Sequence, residues 1–183
     1  AMPEAVNLEP SALMERLAAG VQRFTNAASL GTLSDAIAHV VRDLTGYDRV
    51  MVYRFDPDGH GKIIAEARDP RPEPLLGHHY PSTDIPQRAR ELYLRNRVRL
   101  LVDVDYQAAE LLPRLVPGSS AELDMSMCTL RSMSPLHLQY LRNMGTAATL
   151  SITLRVNGRL WGLVVCHHGA PKRPALACRA IAE

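Results

Sequence analysis

The clearest structural signal in the chain is a β-hairpin at residues 149–167, which read TLSITLRVNGRLWGLVVCH. Apolar and polar residues alternate through 149–156, as they do in a strand with one buried face. Asn157-Gly158 then favours a type I′ turn, in which both central residues have a positive φ. Residues 159–167 return as the second strand, so the segment predicts an antiparallel sheet.

A second hairpin is predicted at residues 49–67. β-Branched and aromatic residues fill 49–55, the turn sequence Asp56-Pro57-Asp58-Gly59 follows, and 62–67 forms the return strand. Helices over 11–28 and 32–45 precede this hairpin, because apolar residues recur there at helical spacing. Ser11 is expected to cap the first helix and Gly46 to end the second.

The middle of the chain predicts shorter elements between long loops. Helices are expected at 86–96 and 135–144, a strand at 97–104, and a short helix after Pro174. The proline-containing stretches 69–86 and 106–126 are predicted as loops, and loops of that length in a compact domain are usually functional. The element order predicts an α+β domain, with an antiparallel sheet and helices on its faces.

Composition excludes several classes of protein. The chain has 183 residues, of which 46% are hydrophobic and 22% charged, as expected of one globular domain. The formal net charge of +2 gives no support to nucleic-acid binding driven by overall charge. No segment approaches the roughly 20 apolar residues of a membrane span, and the N-terminus does not resemble a secretory signal. We therefore expect a cytoplasmic domain that contacts neither nucleic acid nor membrane.

The motifs of common metal sites and enzymes are also missing from the sequence. The three cysteines, Cys128, Cys166 and Cys178, contain no CxxC pair, which excludes a zinc ribbon or a thioredoxin-type site. No HExxH, GxSxG or glycine-rich phosphate loop occurs. The sequence thus favours a ligand-binding domain over a metalloprotein, a hydrolase or a kinase.

Polar residues gather instead in the segments 78–86, 130–137 and 166–168, at loops and strand ends. Each has an ordinary structural explanation: arginines are often solvated, and Asp84 could simply cap the helix that follows it. Residue types alone therefore indicate no more than a ligand-binding α+β domain.

Three long motifs resemble the bilin-binding GAF domain of phytochromes, and the bacterial phytochromes most of all. They are TGYDRVMVYRFDPDGHGKIIAEARD at 45–69, PSTDIPQRARELYLRNRVRLLVDV at 81–104, and TLRSMSPLHLQYLRNMGTAATLSITLRVNGRLWGLVVCHH at 129–168. The resemblance implies a GAF domain over residues 20–183, truncated before the helix that connects to a PHY domain. Residues 1–19 would form a leader and the start of the first helix.

What the resemblance implies about function is light sensing rather than catalysis. The domain would bind a linear tetrapyrrole of the biliverdin type and sense red and far-red light when the D ring isomerises. In a whole phytochrome it would lie between PAS and PHY domains, often ahead of a histidine kinase, and any kinase activity would lie outside this chain. The family also implies a possible homodimer.

The resemblance also assigns roles to individual residues. Asp84 would face the ring nitrogens and Ile85 the ring faces, while His137 would hold a water and a propionate. Arg99 and Arg131 would bind propionate, and His167 would donate to the D-ring carbonyl. The further residues implied in the pocket are the hydroxyls of Ser134, Thr149 and Ser151, the D-ring cage of Tyr53, Tyr80, Tyr140, Met51 and Leu75, and two more residues, Tyr93 and Leu136.

The attachment point of the bilin departs from the family pattern. Plant and cyanobacterial phytochromes link the bilin to a cysteine where this chain has Leu136, and bacterial ones use a cysteine ahead of the PAS domain. Cys128 is the remaining candidate for a covalent bond, with a free thiol as its alternative. We therefore expect biliverdin to bind without a covalent bond, or not to bind stably at all. Two alternatives remain open: a GAF module without chromophore that dimerises or binds a small ligand, and an excised or engineered near-infrared fluorescent domain.

Overall fold

The computed structural model describes residues 9–128, 131–175 and 178. Its elements in chain order are α1 (Pro10–Thr25), α2 (Leu30–Thr45), β1 (Arg49–Phe55), β2 (Gly61–Arg68), β3 (His79–Tyr80), α3 (Gln87–Arg95), β4 (Val98–Leu101), α4 (Pro135–Asn143), β5 (Ala148–Val156) and β6 (Arg159–His168). Among the described helices, none is long and apolar enough to cross a membrane.

The strands form one 6-stranded sheet in the order β3-β2-β1-β6-β5-β4. Every neighbouring pair is antiparallel. The two predicted hairpins, β1–β2 and β5–β6, are joined at the centre of the sheet by pairing of β1 with β6, from Arg49 opposite His167 to Arg54 opposite Gly162. The predicted α+β class with an antiparallel sheet is confirmed.

The two faces of the sheet have different environments. Val50, Val52, Val164 and Cys166 are buried on one face with Ala38 of α2, and α1 packs on α2. Because strand side chains alternate, the residues between them point to the other face, where Met51, Tyr53 and Leu163 form a second apolar cluster with Ile63. α2 packs on the first face, so this second cluster lies on the side of the sheet away from α2.

A β-bulge changes the facing of residues along β2. Val52 pairs with Ala65 but Tyr53 pairs with Ile63, so the register shifts by one residue between them. Ala65 therefore packs on the helix side of the sheet, while Ile63, two residues earlier, belongs to the cluster on the opposite side. Bulges commonly redirect side chains in this way.

The helix starts differ from those predicted. α1 begins at Pro10, and proline suits the first helical position. The N-cap residue is Glu9, and no side chain caps the helix, so the prediction that Ser11 caps α1 is wrong. α2 begins at Leu30, earlier than predicted, because Ser29 and Thr32 form a capping box. Gly46 ends α2 with a φ of 64°, as predicted.

Other differences concern short elements. β3 lies within the predicted loop 69–86 and pairs with the start of β2, and two residues are too few for alternation to reveal a strand. β4 is shorter than the predicted 97–104. The predicted terminal helix lies, apart from Ala175 and Cys178, outside the described residues, as do residues 1–8 of the predicted segment 1–19. The domain boundary at residue 20 remains a prediction.

The two serines near the helix starts test which of them caps a helix. Ser29 Oγ accepts a hydrogen bond from Thr32 N at 3.1 Å, so Ser29→Ala should lower the free energy of unfolding by about 1 kcal/mol. Ser11→Ala is the matched control and should leave it unchanged within error. Urea denaturation of the three proteins measures both values, and equal losses in the two variants would contradict the assignment of the caps.

Candidate functional site

A cavity of about 2100 Å³ opens on the face of the sheet opposite α2. Strands β1, β4, β5 and β6 form its floor, and its walls come from the 83–86 segment with α3 and from the 131–134 segment with α4. All the cofactor-binding residues predicted from the sequence line it: Met51, Tyr53, Leu75, Tyr80, Asp84, Ile85, Tyr93, Arg99, Arg131, Ser134, Leu136, His137, Tyr140, Thr149, Ser151 and His167. The folded chain thus gathers residues from distant segments into one cleft.

Arg99, on β4, is a half-buried cation that makes no ion pair with any residue the structure describes. Its Nε and Nη2 are shielded from solvent and have no hydrogen-bond partner among the described residues. The guanidinium carbon lies 4.0 Å from the centre of the Tyr93 ring, a cation–π contact. Burial lowers the pKa of Arg99, and nearby Arg131 lowers it further. Since an uncompensated buried charge is destabilising, this group suits an anionic ligand.

Arg131 is another arginine of the cavity, and backbone carbonyls of its own loop hold it in place. Its Nη1 donates to the carbonyl oxygens of Ser126 at 3.2 Å and Cys128 at 3.1 Å. The hydroxyl-bearing residues Thr149 and Ser151 lie on the same side of β5, which adjoins β4. Cations and hydroxyls therefore converge on one part of the floor.

Cys128 is not among the residues that line the cavity. Its side chain is half-buried, and its Sγ lies 3.8 Å from Met125 Sδ. Cys166 and Cys178 are buried, the former within the sheet, and Cys178 donates to the Leu44 carbonyl oxygen at 3.3 Å.

Two histidines of the cavity are held in the neutral form. Burial lowers the pKa of His167 to about 3, with further contributions from Arg49 and His137. Desolvation within the cleft, followed by the charge of Arg99, lowers the pKa of His137. A neutral imidazole has one donor and one acceptor nitrogen, and the Nδ1 of His167 lies 3.4 Å from Thr146 Oγ1. Each ring can therefore hydrogen-bond to a carbonyl or a water without carrying charge.

Asp84 does not cap α3. The N-cap position belongs to Pro86, and no side chain caps that helix. Asp84 is exposed toward the cavity, and its carboxylate makes no hydrogen bond with any residue that the structure describes. The structural explanation that the sequence left open for Asp84 is thus wrong, and the carboxylate is available to a ligand.

Arg90 is an important residue that sequence reasoning missed. From α3 its Nε donates to Ile85 O at 2.7 Å, and its Nη2 donates to Gly59 O at 2.5 Å and Ser82 O at 3.2 Å. Its guanidinium also lies 4.7 Å from the centre of the Phe55 ring. Arg90 thereby fastens the 82–85 segment to the β1–β2 turn. No spacing rule indicates this contact, because its partners are backbone carbonyls from two separate segments.

A buried ion pair, also missed, supports the opposite side of the site. Arg49 Nε lies 3.1 Å from Glu66 Oε1, and their side chains are only 9% and 3% exposed. Glu66 Oε2 accepts from the backbone nitrogens of Leu75 and Leu76 at 2.9 and 3.0 Å. Because Arg49 pairs with His167 in the sheet, the same ion pair places positive charge beside that imidazole. The sequence did contain a signal for this ion pair, because Arg49 and Glu66 are charged residues within the two predicted strands of one hairpin.

The tyrosines form an apolar end of the cavity. Tyr53 is buried, and its ring centre lies 5.0 Å from that of Phe55 and 5.9 Å from that of Tyr80. Burial raises the pKa of Tyr53 to about 12, and its phenol oxygen has no hydrogen-bond partner among the described residues. Tyr140 stacks on His137 with ring centres 6.3 Å apart.

The potential metal ligands of the described residues do not cluster. Across residues 9–128, 131–175 and 178, no group of three or more His, Cys, Asp or Glu side chains could hold an ion. The cavity combines four arginines (Arg88, Arg95, Arg99 and Arg131) with carboxylates, two histidines and an aromatic end.

Comparison with known proteins places the fold in a family. Residues 29–180 match the profile of the GAF domain. The chain belongs to the GAF domain family. It is 50% identical over 147 residues to a bacteriophytochrome of Xanthomonas campestris pv. campestris, covering 80% of this chain and 23% of that protein. It is 46% identical over 158 residues to a bacteriophytochrome of Pseudomonas aeruginosa, covering 86% and 21%.

Solved structures of bacteriophytochromes share this GAF fold. The chromophore-binding domain of an unusual bacteriophytochrome from R. palustris superposes with a TM-score of 0.90 at 38% identity, covering 96% of this chain and 59% of that chain. The photosensory core module of a Stigmatella aurantiaca phytochrome gives a TM-score of 0.87 at 42% identity, covering 98% and 36%. The predicted GAF domain and its homology to bacteriophytochromes are confirmed. The chain spans about a fifth of the length of the curated relatives it matches.

Arg90 provides a test of how the site is held together. Arg90→Met removes three hydrogen bonds to carbonyls and should accelerate amide exchange at Asp84, whose N–H donates to Pro81 O at 3.1 Å. An acceleration of roughly ten- to a hundredfold corresponds to about 1–3 kcal/mol of lost local stability. Arg90→Lys should restore little, because lysine lacks the planar guanidinium.

Arg88→Met is the matched control, since Arg88 is exposed on the same helix. Hydrogen exchange followed by mass spectrometry or NMR measures each rate. An Asp84 amide that exchanges equally fast in all four proteins would contradict the assigned role of Arg90.

Proposed function

We propose that this domain binds a linear tetrapyrrole of the biliverdin type in the cavity and senses red and far-red light with it. The observation that carries the proposal is the half-buried Arg99, which lines a cavity of about 2100 Å³ and whose Nε and Nη2 are shielded from solvent without a hydrogen-bond partner among the described residues. A bilin carries two propionates, so it would supply the missing negative charge. When bound, it also supplies a conjugated system that absorbs red light and isomerises at a double bond.

The polar part of the cavity suits the propionates. Arg99 and Arg131 would each hold a carboxylate, which a planar guanidinium can bind through two parallel hydrogen bonds. The hydroxyls of Ser134, Thr149 and Ser151 would add donors, and His137 would hold a water and a propionate.

The neutral and acidic groups suit the pyrrole rings. The imidazole of His167, kept neutral by its burial, would donate to the carbonyl of the terminal ring. Asp84 would accept hydrogen bonds from ring N–H groups with its backbone carbonyl or its carboxylate. Both residues can change partner without a large movement of the backbone, which suits a site whose ligand changes shape.

The apolar part of the cavity suits flat rings. Ile85 and Tyr93 would pack on ring faces, and Leu136 lies at the rim, 81% exposed. The residues proposed around the terminal ring are Met51, Tyr53, Leu75, Tyr80 and Tyr140.

The output would be a shift between two arrangements of the pocket rather than turnover of a substrate. A ligand shifts such an equilibrium only through different contacts in its two states. Asp84 and His167 would provide those contacts, and Arg90 would transmit the change from the 82–85 segment to the β1–β2 turn. In the full-length protein we propose PAS and PHY neighbours, a histidine-kinase-type output and a homodimer, in a cytoplasmic setting.

The chromophore-less alternative is not favoured, because the chain is homologous to chromophore-binding domains and its predicted pocket residues share one cavity. No specific observation supports an engineered fluorescent domain over a natural one.

Uptake of biliverdin tests the proposal directly. Purified protein mixed with biliverdin should develop a red absorption band. Arg99→Gln should weaken binding by at least tenfold, about 1.4 kcal/mol, because it removes the charge that would pair with a propionate. Arg97→Gln is the matched control, because Arg97 lies two residues before Arg99 and its side chain is exposed. This variant should bind biliverdin as tightly as the wild type does. Absence of a red band in the wild-type protein would refute the proposal.

The mode of attachment is a separate prediction. Leu136 has no reactive atom, and Cys128 does not line the cavity, so the bilin should be lost in a denaturing gel stained with zinc. Wild type and Cys128→Ala should both give no fluorescent band. A band that is present in the wild type and lost in Cys128→Ala would show that Cys128 attaches the bilin covalently.

A further inference from the structure

Gly61, the first residue of β2, is surrounded by aromatic side chains. In the sheet it lies opposite Phe55 of β1 and opposite Tyr80 of β3. The bulge in β2 turns this part of the strand toward the cavity face, so Gly61 shares that face with Tyr53. The Tyr53 ring leans across the strand pair and covers the glycine.

The contact between Gly61 and Tyr53 leaves no room for a side chain. A Cβ added at Gly61 would overlap Tyr53 Cζ, Cε1 and the phenol oxygen. Gly61 is not one of the glycines with a positive φ, so its backbone conformation is open to any residue. Glycine is therefore required here for space, as it is where another group approaches a strand closely.

We propose that Gly61 is a positioning residue for Tyr53 and so determines how much room the ligand has at the aromatic end of the cavity. With glycine, the Tyr53 ring packs down on β2, edge-on to Phe55 at an interplanar angle of 73°. A methyl group at residue 61 would push the ring away from β2. The open space beside the ring is the cavity that Tyr53 lines, so the ring would move into it.

The part of this inference that concerns the ligand rests on the proposed function, whereas the part that concerns Tyr53 does not. Tyr53 packs with Met51, Ile63 and Leu163, which are all buried. A displaced ring would therefore disturb that packing as well as occupy ligand space, and overpacking of this kind is destabilising.

The position of the ring can be measured without any ligand. In protein labelled with ¹³C-tyrosine, the Tyr53 ring signals, assigned by their loss in Tyr53→Phe, should show nuclear Overhauser contacts to the Gly61 Hα atoms. Gly61→Ala should shift these signals and weaken the contacts to Phe55. Gly31→Ala is the matched control, because its Cβ would lie 3.7 Å from its nearest neighbour, Ser29 Oγ. Tyr53 signals that stay unchanged in Gly61→Ala would overturn the proposal.

The consequence for the ligand is measured with biliverdin. Gly61→Ala should weaken binding about tenfold in the wild-type background and have little effect when Tyr53→Ala is also present, because the clash is then gone. An equal loss in both backgrounds would overturn the proposal. If Gly61→Ala alone does not fold, the double variant with Tyr53→Ala should still fold. A double variant that also fails to fold would overturn the proposal. A wild-type protein that does not bind biliverdin would refute the proposed function, while the ring signals would still decide the role of Gly61.

Discussion

The pairing of β1 with β6 is the constraint on which the rest of the structure depends. It joins two hairpins whose paired residues, from Arg49 with His167 to Arg54 with Gly162, are more than a hundred positions apart in the chain, and no local signal dictates it. Each hairpin alone would be marginal in water. Once joined, they provide one buried face for α2 and one face on which residues from both halves of the chain meet. Arg49 and His167 become neighbours only through this pairing.

Charge is distributed over the cavity face in a way that folding alone does not explain. Arg49 and Glu66 lie as opposite charges 3.1 Å apart, with both side chains almost fully buried, and Glu66 also accepts from the backbone nitrogens of Leu75 and Leu76. Arg99, by contrast, lies over the Tyr93 ring, and its Nε and Nη2 have no hydrogen-bond partner among the described residues. A folded domain tolerates such an imbalance when a ligand later compensates it. The difference between these two arginines separates the scaffold from the binding site.

Sequence reasoning identified both hairpins, β4 and the main helices, because alternation and turn chemistry are local, but it missed the two-residue strand β3. The polar members of the site, such as Arg99 and His167, were identified only through long family motifs. Arg90 and Gly61 were missed for a different reason. Arg90 binds backbone carbonyls, which leave no trace in residue identity. Gly61 matters through the absence of a side chain, and its meaning depends on the direction in which Tyr53 leans.

The bulge in β2 explains why the alternation of this strand is misleading when it is read alone. Gly61, Ile63, Ala65 and Ala67 are all buried, which suggests a single apolar face. They in fact divide between the helix side and the cavity side, because the register slips between the pairs of Val52 and Tyr53.

The same bulge restricts how the register of β2 can vary. A β2 strand of the same length without the bulge would pair Tyr53 with Ile64, and it would turn Gly61 and Ile63 toward α2 and take away the support beneath Tyr53. The exposed turn at residues 57–58 lies outside this register, so a change of chain length there leaves the strand pairing intact. Within the strand, the irregularity itself keeps the cavity face in place.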